Sequence, residues 1–154
     1  MSRGTIRRRM AIAILALIGL FISLYLLLYH MGWYGGLACG SGAHSCEYVQ
    51  SSRYASFLGW PVPGWGVAWY GSVLGIALLG VQPTFGGHPW TGRLLSLLAV
   101  GGLAFTVYLT SVELFVLRAV CRWCVGSAVI TTAIFLLVAW GWGRKDGPPE
   151  GREA

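Results

Sequence analysis

The four cysteines of this chain fall into two close pairs. Cys39 and Cys46 bracket a glycine-rich stretch, CGSGAHSC, and Cys121 and Cys124 form CRWC at the start of an apolar run. Either pair is near enough in sequence to close as a disulfide, and together they suggest a relay that passes electrons between thiols. In CRWC the two positions are i and i+3, neighbouring faces of a helix. At a helix start the free N–H groups and the dipole favour an anion, and Arg118 and Arg122 add positive charge. Each effect stabilises a thiolate, the species that attacks a disulfide or an electrophilic ring. Six residues separate the first pair: Gly40, Ser41, Gly42, Ala43, His44 and Ser45. They are small and flexible, so this loop can open and close at little steric cost. His44 reads better as a solvated loop histidine than as a group acting on the thiols.

The elements that position these pairs are membrane helices. The chain has 154 residues, 56% hydrophobic and only 10% charged, whereas a soluble domain carries about a quarter charged residues. Four long uncharged runs account for this: Met10 to Tyr29, Val62 to Val81, Leu94 to Val112 with an apolar tail Leu114 to Leu117, and Cys124 to Trp142. Each has the roughly 20 residues that a helix needs to cross about 30 Å of hydrocarbon. None shows the alternation of barrel strands. The expected fold is an all-α integral membrane protein, a four-transmembrane-helix bundle with an extended outer loop carrying a short helix. Residues 1–9 read as a basic tail, 10–142 as the membrane redox domain and 143–154 as a disordered polar tail. Arg7, Arg8 and Arg9 before the first run could suit a signal peptide, but the run is too long for an h-region and lacks a nearby cleavage site.

Eight Lys and Arg residues fall on the side of the two termini and three (Arg53, Arg118, Arg122) on the other. This places both termini in the cytoplasm and both cysteine pairs on the outer face of a cell (inner) membrane, where disulfides persist. The net charge of +6 is then a topology signal, with no basic soluble face for nucleic acid. The long outer segment, Met31 to Pro61, is expected to hold a short helix over Cys46 to Phe57, and Pro61 and Pro63 break the chain before the second span. Trp and Tyr cluster at span edges as an aromatic belt. Gly71 and Gly75 form a GxxxG step of the kind that lets helices approach closely. Glu113, ionisable and near the end of the third span, is a functional candidate by default; a pairing with Arg118 or Arg122 would explain it equally well.

A metal-handling membrane protein is the alternative reading of four cysteines. C-x6-C with a distant C-x2-C matches zinc ribbons poorly, however, and a mercury relay would prefer thiols on both sides of the membrane. No bound metal is expected.

Taken together, the cysteine order, Ser51, Ser52 and Arg53 after Cys46, and LGWPVPGWG leading into the second span resemble the vitamin K epoxide reductase family in its bacterial form, over roughly Met10 to Trp142. The other quinone-linked family of bacterial disulfide-forming proteins has its CxxC in the first outer loop. The resemblance implies a quinone-dependent thiol-disulfide oxidoreductase that supports disulfide bond formation. A separate thioredoxin-fold protein outside would exchange with the Cys39–Cys46 disulfide. Cys46 would then attack Cys121, Cys124 would face the quinone, and electrons would end on ubiquinone or menaquinone. Ser52 would help line the quinone pocket, and by position Trp65, Trp69, Leu109 and Leu117 would supply its apolar wall. Two positions depart from the vertebrate pattern: Ala128 where those members carry tyrosine, and Val62 near the place of an asparagine. Both departures favour plain quinone reduction over epoxide reduction.

Overall fold

The computed structural model describes residues 3–33, 35, 36 and 43–143. Cys39 and the polar tail 144–154 lie outside the described residues. Four long helices form the body: α1 (Arg3–His30), α3 (Val62–Leu79), α4 (Pro89–Ser111) and α5 (Arg122–Trp142), with a short α2 (Ala43–Ser51) between the first two. All four are long and apolar enough to cross a membrane, α4 counting with its extension to Leu117. The chain is the expected all-α four-helix membrane protein.

α1 begins at Arg3, well before the apolar run, so most of the basic segment is helical. Its 28 residues extend roughly 42 Å at 1.5 Å per residue, more than the hydrocarbon core requires. The surplus turns carry the arginines to helix ends. Arg9 donates to the carbonyl of Gly80, which caps α3, and to that of Gly86 in the following loop at 3.1 Å. The Arg8 guanidinium lies over Gly141, near the end of α5. Cations there meet carbonyls left without helical partners and the negative end of the dipole.

One core runs through the bundle, contributed by all four long helices: Ile12, Ala13 and Ala16 on α1, Tyr70, Val73 and Ala77 on α3, Leu95 and Ala99 on α4, and Ile134 and Val138 on α5. Large apolar residues such as Phe21, Leu97, Val107 and Leu136 stay exposed on the outward faces, where lipid rather than water is their solvent. Tyr70 is the polar hub of the core. Its hydroxyl meets the Ser127 carbonyl at 3.0 Å, the Ser127 hydroxyl at 2.8 Å and the Thr131 hydroxyl at 3.0 Å, tying α3 to α5. Its ring lies against Gly19, where a Cβ would overlap it.

The GxxxG step does not pack as expected. Gly71 and Gly75 are exposed, and a Cβ on either would meet nothing within 4 Å. The face of α3 that packs is the one carrying Tyr70, Val73 and Ala77, one residue around the helix from the glycines.

The segment after Cys46 also differs from a helix running to Phe57. The helix ends at Ser51, a 3-10 turn covers Arg53–Ala55, and Ser56–Phe57 (β1) pairs antiparallel with Trp60–Pro61 (β2). Leu58 (φ 53) and Gly59 (φ 82) form the two-residue turn, both in the left-handed region that such hairpins need. α3 then starts with Pro63 in its first turn, where the missing N–H costs nothing.

Gly19→Ala is expected to lower stability in detergent unfolding by about 1–3 kcal/mol through overpacking against Tyr70. Gly75→Ala, at an open exposed position, should leave it unchanged. Equal effects at the two sites would contradict this packing.

Candidate active site

The site sits at the end of the bundle opposite the N-terminal arginines, where α2 covers the start of α5. In α2, Cys46, Val49 and Gln50 are all buried while Tyr48 and Ser51 are exposed. This i, i+3, i+4 spacing puts the cysteine and the amide on one face of the short helix. That face docks on α1 and α5: Cys46, Val49, Leu26 and Cys121 form a second buried cluster, with Leu117, Trp123 and Cys124 packed around it. Cys46 and Cys121 are both 0% exposed. Cys46 is held in a disulfide, whereas Cys121 and Cys124 are free thiols.

The CxxC opens α5 as expected. Cys121 is the N-cap residue with extended backbone, and Cys124 lies in the first turn. A hydrogen bond with the Cys124 side chain holds the Cys121 thiol below its ordinary value. Burial and the charge of Glu113 oppose this, and the first-turn N–H groups of Cys124 and Trp123 support it. Arg118 and Arg122 are exposed, so the sources of this lowering are the partner thiol and the helix start rather than the two arginines.

α4 reaches the site through an irregular end. Beyond Ser111 it continues as a π-helical segment, Val112–Leu117, and closes at Arg118, whose φ of 49° is left-handed. Single π turns recur at functional sites because the extra residue per turn re-aims side chains. Here the re-aimed side chain is Glu113. It is 8% exposed, and its carboxylate interacts electrostatically with the Cys124 side chain and the Cys121 backbone. Among the described residues neither Arg118 nor Arg122 pairs with Glu113. The ion pair considered from the sequence is therefore not formed, and the carboxylate is turned to the thiols.

Ser52, Trp65, Trp69, Leu109 and Leu117 are brought together with Cys124 around one cavity of about 280 Å³, at the lower end of the size of small-molecule sites. The wall is mostly apolar and its polar groups are few. Trp65 Nε1 donates to the Phe57 carbonyl at 3.0 Å and Trp69 Nε1 to the Leu98 carbonyl at 2.9 Å, so both indoles are fixed as walls. The Ser52 hydroxyl donates to the Val49 carbonyl at 2.8 Å, which leaves only its lone pairs for the cavity. Ala128 and Val62, the two positions that depart from the vertebrate pattern, both lie on this wall.

Residues 10–139 match the sequence model described as Vitamin K epoxide reductase family. The chain belongs to the vitamin K epoxide reductase family. It is thus an oxidoreductase of the membrane, from a family that works between thiols and quinones. The matched stretch takes in every element that lines the cavity.

One lining residue of this family member escapes the sequence pattern. Gln50 Nε2 donates to Cys124 Sγ at 3.5 Å, and its Oε1 is buried beside the cavity with no hydrogen-bond partner among the described residues. A signal for it exists: a polar amide four residues after Cys46, on the cysteine's own helical face. The expectation of a longer helix of mixed polarity hides it.

If Cys124 lowers the Cys121 thiol, then Cys124→Ala should raise it. The pH midpoint for alkylation of Cys121 in the reduced protein is expected to move upward in that variant. An unchanged or lower midpoint would assign the lowering to the helix start alone.

Proposed function

We propose that this family member is a thiol:quinone oxidoreductase that oxidises a thioredoxin-fold protein outside the cell membrane and reduces ubiquinone or menaquinone within it. The observation that carries this reading is that Cys124 is at once a member of the CxxC and part of the wall of an apolar cavity. In the proposed sequence, the partner's thiols exchange with a disulfide between Cys39 and Cys46. Once the CxxC is oxidised, Cys46 attacks Cys121 of the Cys121–Cys124 disulfide and releases Cys124 as thiolate, a step supported by the common buried cluster of Cys46 and Cys121. Cys124 hands the electrons to a quinone head group held between Trp65, Trp69, Leu109 and Leu117.

The donor set of the cavity fits a quinone. A quinone ring has two apolar faces and two carbonyl oxygens. The cavity offers apolar walls and, in Gln50, an amide that reaches both Cys124 and the open space. A buried amide oxygen without a partner is costly unless a ligand group satisfies it, and the hydroxyl of the hydroquinone product can do so. A second cavity of about 520 Å³ lies along α4 and α5 and shares Thr106, Thr110, Glu113, Cys124 and Ala128 with the first. It supports entry of the lipid-soluble substrate through the α4–α5 seam. The excess of arginines at the far end of the bundle supports a cytoplasmic location for both termini.

Purified protein with a small dithiol and a soluble quinone tests the reading. Cys124→Ser should abolish quinone reduction. Cys46→Ser should keep the small-dithiol route and lose transfer from a thioredoxin-fold partner. Gln50→Leu should raise KM for quinone by about tenfold, roughly the worth of one buried hydrogen bond. Quinone reduction that survives loss of Cys124 would rule the assignment out.

A further inference from the structure

We propose that Glu113 is the catalytic base of the quinone half-reaction, taking the Cys124 proton and passing it to a quinone oxygen. This rests on the thiol:quinone reading given above. Three observations converge on Glu113. It is a buried carboxylate within a membrane-spanning segment, a placement too costly to hold without a partner or a use. Its carboxylate interacts electrostatically with the Cys124 side chain and the Cys121 backbone, with no arginine among its partners in the described residues. It also lines both cavities that meet at Cys124. It therefore stands beside the reacting sulfur on the wall of the same two cavities.

Other polar groups on the cavity wall are less able to carry a proton. The Tyr70 hydroxyl is shared between Ser127 and Thr131. The Ser52 hydroxyl is committed to the Val49 carbonyl. Gln50 is an amide and does not exchange protons at this task. Among the described lining residues Glu113 is the one carboxylate. The backbone shows why it is aimed there. The π-helical segment begins one residue before it, and its carbonyl accepts from the Arg118 and Ala119 N–H groups, the latter at 3.1 Å, so the end of α4 is closed around this residue.

The chemistry balances. Reduction of quinone breaks two S–H bonds, forms the Cys121–Cys124 S–S bond and moves two electrons to the ring. Glu113 takes the proton of Cys124 as its sulfur becomes the electron donor, then gives it to one quinone oxygen. The second proton, from the Cys121 thiol or its equivalent from water, goes to the other oxygen. The products are the disulfide and hydroquinone, with Glu113 restored.

The test is steady-state reduction of a soluble quinone by dithiothreitol in detergent, comparing wild type, Cys124→Ser, Glu113→Gln and Glu113→Asp. Glu113→Gln keeps the size of the side chain and loses the base. Its kcat is expected to fall by about 10²-fold or more, the usual contribution of general base catalysis. KM should stay within about threefold, because binding of the quinone is not what is removed. Glu113→Asp retains a carboxylate and should recover at least about tenfold of the lost kcat. Wild-type kcat in Glu113→Gln, a loss confined to KM, or an aspartate variant no better than glutamine would each overturn the proposal. Should the glutamine variant fail to fold, the aspartate variant decides: lower kcat at unchanged KM supports the base, and unchanged kcat overturns it. Absence of quinone reduction by wild type, or its persistence in Cys124→Ser, would instead sink the underlying reading and the proposal with it.

Discussion

The site depends on the seating of α2 against the start of α5. A nine-residue helix is too short to be stable alone in water. What holds it is the face that carries Cys46, Val49 and Gln50 into the second buried cluster. That docking withdraws Cys46 and Cys121 from solvent together and brings the Gln50 amide to Cys124. Because α1 and α5 are fixed in turn by the core around Tyr70, the position of the sulfurs follows from the packing of the whole bundle. A change at Gly19, which does not line the cavity, would reach the site by that route.

The bilayer limits where such chemistry can be placed. Inside hydrocarbon each backbone polar group needs a partner within the chain, so the spans are continuous helices and the irregular backbone gathers at their ends. The first turn of α5, the π-helical end of α4 and the 3-10 turn and hairpin before α3 all contribute to the wall of the cavity. These are the places where N–H groups are spare, where a helix can be re-aimed and where side chains of low polarity give way to Gln50 and Glu113. Helix ends thus serve as both the structural weak points of the fold and its reactive ones.

Legibility in the sequence follows the strength of the physical signal. The four spans are readable because apolar runs of that length have few other solutions, although α1 starts earlier than its apolar run because arginines are good helix formers. The helix start at Cys121 follows from the end of a polar connection, and the cavity wall of Trp65, Trp69, Leu109 and Leu117 is legible from position along the spans. The hairpin at Ser56–Pro61 is not. Its turn uses Leu58 in the left-handed region, against that residue's local preference, so no turn signal beyond Gly59 marks it. Gly71 and Gly75 mislead because a GxxxG pattern says that a helix can be approached closely, not that a neighbour is there. Glu113 is visible as an anomaly, but its partner is not: the π-helical segment turns it toward the thiols, and that register shift leaves no mark in composition.

The spacing of CxxC gains its meaning from what stands on each side of it. Cys121 faces the cluster that contains Cys46, and Cys124 faces the cavity, the Gln50 amide and Glu113. Two residues between the cysteines turn the helix by most of a circle, enough for one sulfur to address a protein disulfide and the other a lipid-soluble acceptor while both remain within reach of a common bond. A C-x-C spacing would point the sulfurs to opposing faces of the helix. On the proposed reading the two half-reactions need never share a binding site. On that reading, thiol exchange takes place where Cys46 meets Cys121 and quinone chemistry where Cys124 meets the cavity, and electrons pass between them through the CxxC.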